Sequence, residues 1–347
     1  MATTAAAPRT PRLRRSDCAG PGIGRTRRGR GFVYEADGSG RVDDPEVLER
    51  IEELVIPPAW QDVWICPYPG GHIQATGTDA AGRKQYLYHP RWRTRRDQQK
   101  FDDMLAFART LPALRERVEA EVERDDMSFD HVCACAVRLL DRGFFRIGSE
   151  DYAVQNETFG LATMKKRHVR VGRDGMLVFD YPAKSGKRRV QAVADPEVAE
   201  TVRRLKARRG GGDKLLAYKR GARWADIRSQ DINAWLKAAT GQEISAKDFR
   251  TWGATVLAAV ALAVSGEAPA TKTGRARAIT RAVNEVAHYL GNTPAVARAS
   301  YIDPRVLDCF RDGTTIPYAA IAAGADPDGD GTTIQGPVEE AVLELLD

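Results

Sequence analysis

The chain has 347 residues, 43% of them hydrophobic, enough to fill real cores in one to three domains. No apolar run approaches the roughly 18 residues of a membrane span, so the longest, ATVLAAVALAV (254–264), reads as a buried helix. The net charge of +6 is unevenly spread, and the five cysteines are odd in number and scattered, which argues for reduced thiols over a disulfide framework.

Residues 1–30 are rich in Ala, Pro, Arg and Gly and are expected to form a disordered basic arm. No secretory leader pattern is present there, so a cytoplasmic protein is expected. Residues 31–97 read as a small β-rich domain. GFVYEADGSGRV carries a Gly/Asp turn between short strands. DDPEVLERIEELV is a helix with Asp44 as N-cap, Pro45 at the first helical position, and Val47, Leu48, Ile51 and Leu54 on one face. DVWICPYPG, HIQATG and RKQYLYHP are strands, with TDAAG a turn; Tyr86 and Tyr88 alternate and so share a face.

A boundary with a flexible joint is placed near residue 98. Residues 98–320 read as a larger, mainly helical domain, opening with helices over about 98–123 and 128–143. A β-meander follows, with RHVRV, MLVFDY and RRVQAV as strands and PAKSGK as a hairpin tip. After about 195 the pattern is mostly helical. HVCAC (131–135) lies in an apolar helical stretch with no second Cys/His pair nearby, so it reads as core and no metal site is expected. DPDGDGTTIQGP (326–337) begins like a calcium loop but has Pro337 where that loop needs Glu, and reads as a linker to a short final helix. Residues 321–347 are expected to be an acidic tail. The fold class is α+β: a small antiparallel N-terminal domain and a larger α-rich domain with a three-stranded meander.

The charge distribution points to a polyanion. Residues 165–228 hold 19 Lys/Arg against 7 Asp/Glu, whereas residues 302–347 hold 2 against 10, giving a basic surface and an acidic periphery. In YLGNTPAVARASYIDP (289–304), Gly291 ends one helix and Thr293-Pro294 start another, with Tyr301 expected two turns in and Asn292 just before the start. A phenol has a pKa of about 10, so roughly one in a thousand is ionised at pH 7, and attack on a phosphodiester needs cations close by. Arg146 in LLDRGFFRIGSEDY and Arg250 in SAKDFRTWGATVLAA sit in apolar company; each is either a salt-bridge arginine or a phosphate grip. Lys184, at the hairpin tip, could protonate a leaving alkoxide.

Taken in order, GTDAAGRKQYLYHP, RIGSEDYAVQNETFGLATMKKRHV, YPAKSGK, KDFRTWGAT and LGNTPAVARASYID resemble the motifs of type IB DNA topoisomerases of the small poxvirus-like and bacterial form, over about residues 32 to 310. The resemblance implies a clamp around duplex DNA that relaxes positive and negative supercoils without ATP or metal, through a 3′-phosphotyrosyl intermediate. It implies Tyr301 as nucleophile, Arg146 and Arg250 as transition-state arginines, Lys184 as general acid and Lys247 as a further phosphate-site lysine. Asn292 stands where viral and nuclear members have histidine, and an amide can still donate to a non-bridging oxygen. The resemblance further implies Gln85, Tyr86 and Tyr88, then Tyr152, Asn156 and Thr158, as DNA contacts. It implies no cofactor, nucleotide, metal or membrane, action at the nucleoid, and a monomer as sufficient. No GxxxxGK[ST] loop for a nucleotide occurs. Two other readings stay open: a tyrosine recombinase, although KDFR and LGNT stand where HDLR-like and LGH-like strings are usual, and a non-catalytic DNA-binding protein.

Overall fold

The computed structural model describes residues 12–265, 271–324 and 334–347, which divide into two compact units, residues 1–100 and 101–347. The calcium-loop and linker reading of 326–337 falls largely outside the described residues.

The first unit is a six-stranded antiparallel sheet plus one helix. Its elements are β1 (Ile23–Arg28), β2 (Gly31–Ala36), β3 (Gly40–Arg41), α1 (Pro45–Glu53), β4 (Gln61–Ile65), β5 (Ile73–Thr78) and β6 (Lys84–Tyr88), in sheet order β3-β2-β1-β4-β5-β6. Asp44 caps α1 as expected, accepting from Glu46 N at 2.9 Å. The core is small: Ile23, Ile51, Val63, Ile65 and Ala75. The reading of 1–30 as a disordered arm needs correction, because β1 pairs with both β2 and β4. Only Ile23 of IGRTRR is buried, so the strand is held by backbone pairing and by Arg25, whose guanidinium donates to the carbonyls of Ile56, Pro57 and Trp60. Upstream, the Ser16 hydroxyl donates to Ile73 O at 2.8 Å. Residues 1–11 lie outside the described residues.

A long helix, α2 (Pro90–Glu123), begins eight residues before the expected start. His89 starts it, its Nδ1 accepting from Arg91 N at 3.1 Å, and Pro90 needs no partner at the first helical position. The expected flexible joint near 98 therefore falls inside a continuous helix, and the two units divide after Lys100.

The second unit continues with α3 (Phe129–Gly143), α4 (Glu150–Asn156), β7 (Val169–Val171), β8 (Met176–Pro182), β9 (Arg188–Ala194), α5 (Pro196–Ala207), β10 (Ala217–Arg220), β11 (Arg223–Asp226), α6 (Ser229–Thr240), α7 (Ala246–Val264), α8 (Lys272–Leu290), α9 (Pro294–Ser300), α10 (Pro304–Asp312), α11 (Tyr318–Gly324) and α12 (Pro337–Leu346). The helices α3 and α7 run through the centre of one large core, and Cys133 and Cys135 are buried in it. The meander β7-β8-β9 forms as expected, with Ser185 and Gly186 in the left-handed region at its tip. The hairpin β10-β11 was not expected; its four-residue strands, AYKR and RWAD, are too short to show an apolar period.

The acidic tail is also corrected. The α12 residues Val338, Ala341, Val342 and Leu346 lie on one face and are buried. Glu339 accepts from Arg115 Nη1 at 2.5 Å and from Trp252 Nε1, on α7, at 2.7 Å. The C-terminal helix is thus part of the core, and its remaining acids face outward.

Candidate active site

Arg250 lies in the second turn of α7, a helix started by Ser245, whose N–H is capped by Asp248 at 2.8 Å. Its neighbours on the helix are buried, and the residue is 3% exposed. A buried arginine is normally matched by a carboxylate. Here one fork nitrogen donates to Leu290 O at 2.9 Å and the other to Phe144 O. Those acceptors exist because of two helix ends. Phe144 is the left-handed C-cap of α3, and Leu290 is the last residue of α8, whose final carbonyls have no intrahelical partner. Gly253 permits this approach, since a Cβ there would stand 2.5 Å from the Phe144 ring.

Arg146 follows Phe144 in an irregular segment fixed by backbone bonds from Leu161 to Arg146 O and from Ala162 to Ile147 O, both 2.8 Å. Its Nη2 donates to Gly291 O at 3.1 Å and to Asn292 Oδ1. Gly291 is left-handed (φ 60), and Asn292 N closes the helix end on Ala287 O at 2.9 Å. With its oxygen turned to Arg146, the Asn292 amide presents a buried Nδ2 that has no hydrogen-bond partner among the described residues. Arg250 Nε and Thr158 Oγ1 are likewise buried and unpaired. Among the described residues neither Arg146 nor Arg250 forms an ion pair with a carboxylate, so the salt-bridge reading of both fails. Burial, then the Arg146 charge, pushes the Arg250 guanidinium down to about 10. At neutral pH it remains charged, and an anion in the cleft would relieve both effects.

Tyr301 is corrected in one respect. Thr293 caps α9 and Pro294 is its first residue, but the helix stops at Ser300, and Tyr301 is its C-cap, outside helical geometry (φ −133, ψ −31). Its carbonyl lies 3.3 Å from the Thr255 hydroxyl of α7, which accepts from Asp303 N at 3.1 Å. The Arg250 guanidinium carbon stands 5.4 Å from the centre of the Tyr301 ring. A second phenol, Tyr181, is also near these arginines; it is buried, bonded to Gln191 and pushed up by burial, so it is not positioned to attack.

One open cleft of about 370 Å³ is lined by Arg146, Tyr152, Thr158, Lys184, Lys247, Arg250 and Tyr301, together with residues 147–149. Asn292 lines the neighbouring cleft, which shares Arg146 and Lys184. Lys184 and Lys247 are exposed, and their ammonium groups have no hydrogen-bond or ion-pair partner among the described residues. Asn156 does not line the cleft; its amide donates to Tyr152 O at 3.1 Å. Gln85, Tyr86 and Tyr88 belong to the first unit, where the two tyrosines are 42% exposed and stacked at 6.2 Å. Gln85 is held by Asp79, accepting at 2.9 Å, and bonds from Arg83 bring that carboxyl down to about 2. Sequence reasoning missed Thr255 and Gln191, which touch site residues and carry no charge signal of their own.

The description "Eukaryotic DNA topoisomerase I, catalytic core" fits residues 89–309, and "Bacterial DNA topoisomerase IB, N-terminal domain" fits residues 31–79. The chain belongs to the type IB DNA topoisomerase family. It is similar to DNA topoisomerase 1B of Acanthamoeba polyphaga mimivirus, 27% identical over 84% of this chain and 88% of the viral one. It is also similar to DNA topoisomerase I of monkeypox virus and DNA topoisomerase 1B of vaccinia virus (strain Copenhagen), each 21% identical over 78% of this chain and 84% of the relative. The protein is thus an isomerase acting on DNA, with the antiparallel and helical parts expected of the α+β fold. Among the described residues no helix is long and apolar enough to cross a membrane.

Proposed function

We propose that the enzyme relaxes positive and negative supercoils of duplex DNA by cutting and resealing one strand through Tyr301. The phenol oxygen attacks a backbone phosphorus in line with the 5′-oxygen. The P–O5′ bond breaks, a 3′-phosphotyrosyl bond forms, and the phenol proton passes to solvent while Lys184 protonates the departing 5′-oxygen. The free end swivels, and the 5′-hydroxyl then attacks the phosphotyrosine to restore the strand. One phosphodiester bond is exchanged for another, so no nucleotide is consumed.

Charge develops on the non-bridging oxygens during both steps. Arg146, Arg250 and Lys247 stabilise it, and the unpaired Asn292 Nδ2 supplies a neutral donor. These donors do the work that a metal would otherwise do. The observation that carries this reading is the pair Arg146–Arg250, without carboxylate partners, in one cleft with the Tyr301 ring 5.4 Å from Arg250.

In the same proposal Gln85, Tyr86 and Tyr88 of the first unit, and Tyr152, Asn156 and Thr158 of the second, contact duplex DNA as a clamp, acting as a monomer at the nucleoid. Plasmids of both supercoil signs, incubated in EDTA without ATP, test it. Wild type should relax both, and Tyr301→Phe should bind DNA without relaxing either. Recombinant junctions in place of relaxed circles would point to a recombinase. Binding without any turnover would point to a non-catalytic DNA-binding protein.

A further inference from the structure

A third arginine reaches the same helix end. Arg189, on β9, donates through Nη2 to Tyr289 O and through Nε to Gln191 Oε1 at 2.6 Å. Three successive carbonyls at the end of α8 are thereby taken by three arginines from three different elements: Tyr289 by Arg189, Leu290 by Arg250, and Gly291 by Arg146. Gln191 extends the tie, accepting from Tyr181 OH at 2.9 Å and donating to Gly143 O at the end of α3.

The place of Arg189 in the hairpin gives these bonds a consequence. It pairs with Tyr181, and one further rung, Pro182 with Arg188, closes the ladder before the tip that carries Lys184. The tip itself is held by its own backbone, Ala183 N to Lys187 O at 2.8 Å and Gly186 N to Ala183 O at 3.0 Å. Since the Lys184 ammonium has no partner among the described residues, its location depends on where the end of the hairpin is fastened. The adjacent Arg188 points the other way, exposed, and pairs with half-buried Asp180 at 2.7 Å. Alternation along a strand separates the two arginines, one turned into the site and one out to solvent.

We infer that Arg189 is a positioning residue for the proton donor: it fastens the β8-β9 hairpin to the α8–α9 turn, and so holds Lys184 at the leaving oxygen. This rests on the reading of Tyr301 and Lys184 given above. The phosphate grip stays with Arg146 and Arg250, so loss of Arg189 should hurt protonation and spare the rest of the step.

The test is single-turnover cleavage of a short duplex with either oxygen or sulfur at the bridging 5′ position of one phosphate. A thiolate leaves without a proton, so the sulfur duplex bypasses the donor. Arg189→Ala should cut the oxygen duplex about 10- to 100-fold more slowly, a part of the 10²–10⁴ that general acid catalysis supplies. It should cut the sulfur duplex within a few-fold of wild type, with DNA affinity kept. Arg189→Lys should recover part of the loss, and Arg188→Ala should cut both duplexes at the wild-type rate. Equal slowing on both duplexes, or no slowing on either, would overturn the inference. Should Arg189→Ala melt early, Arg189→Gln, which keeps the stem and a donor, carries the same readout. Two controls guard the underlying reading. Tyr301→Phe must form no covalent complex with either duplex, and Lys184→Ala must be rescued by sulfur; failure of either would sink that reading, independently of Arg189.

Discussion

Arg250 and Lys247 are one helical turn apart on α7 and line the same cleft, yet they are held in opposite ways. The Arg250 fork is spent on Phe144 O and Leu290 O, in a site 3% exposed. Lys247, and Lys184 across the cleft, stand exposed with no side-chain partner among the described residues. Fixed charge placed before the reaction costs no reorganisation when charge develops, whereas a mobile ammonium must first be drawn to its target. The difference teaches which groups tolerate change: geometry limits the arginines, and reach limits the lysines.

The sharpest way to break this comparison is to exchange the two cation types. Arg250→Lys should lower single-turnover cleavage by roughly 10²- to 10³-fold, because a single ammonium lacks the planar fork that reaches both carbonyls and still leaves Nε free for a phosphate oxygen. Lys247→Arg should cost less than about 10-fold. Equal losses would show that both sites ask only for charge.

A smaller effect is expected where Tyr301, the proposed nucleophile, is held by neutral groups. Thr255→Val removes the hydroxyl that accepts from Asp303 N beside the Tyr301 carbonyl. Cleavage should slow by about 10-fold from misplacement of the phenol. Stability should fall by about 1–3 kcal/mol from the orphaned N–H. Denaturant titration together with cleavage kinetics separates the two, and a stability loss with unchanged cleavage would remove Thr255 from the site.

The brace behind α7 should matter for stability alone. Glu339→Ala leaves the Arg115 and Trp252 donors without that acceptor and should cost about 2–4 kcal/mol. The expected signature is a lower denaturation midpoint with cleavage per folded molecule preserved. A specific loss of cleavage would instead mean that α12 tunes Arg250.

The smallest effect is a pH slope. Burial first, then the Arg167 and Lys165 charges, lowers the His168 pKa below its usual value near 6.5. The unfolded chain therefore takes the proton first. This residue's contribution is complete above about 6.5 and is lost as pH falls toward the folded pKa. Thermal midpoints at pH 7.5 and 5.5 should drop less in His168→Gln than in wild type; equal drops would assign the slope to other groups.

Much of the site was legible because its residues break local rules. Arg146 and Arg250 are cations in apolar surroundings, and Gly291, Thr293 and Pro294 spell out a helix stop and start. Lys184 was placed by the turn chemistry around it. What stayed hidden depends on topology. Arg188 and Arg189 look alike in RRVQAV, and only the register shows which faces the α8 end. Tyr301 reads as helical because Pro294–Ser300 favours helix, but the helix ends one residue too soon. In β1 only backbone pairing orders a string of cations, and in α12 the apolar face at 338, 341, 342 and 346 is masked by acidic composition.

The end of α8 carries partial negative charge, the wrong sign for a phosphate. Three guanidiniums cap that negative pole, and two of them, Arg146 and Arg250, turn it toward the cleft as a receptor for anions. Replacing Arg146 or Arg250 with a small neutral residue therefore does more than subtract a cation: it uncovers a bare carbonyl dipole facing the cleft. At these two positions, a neutral substitution acts electrostatically like the introduction of a weak anion.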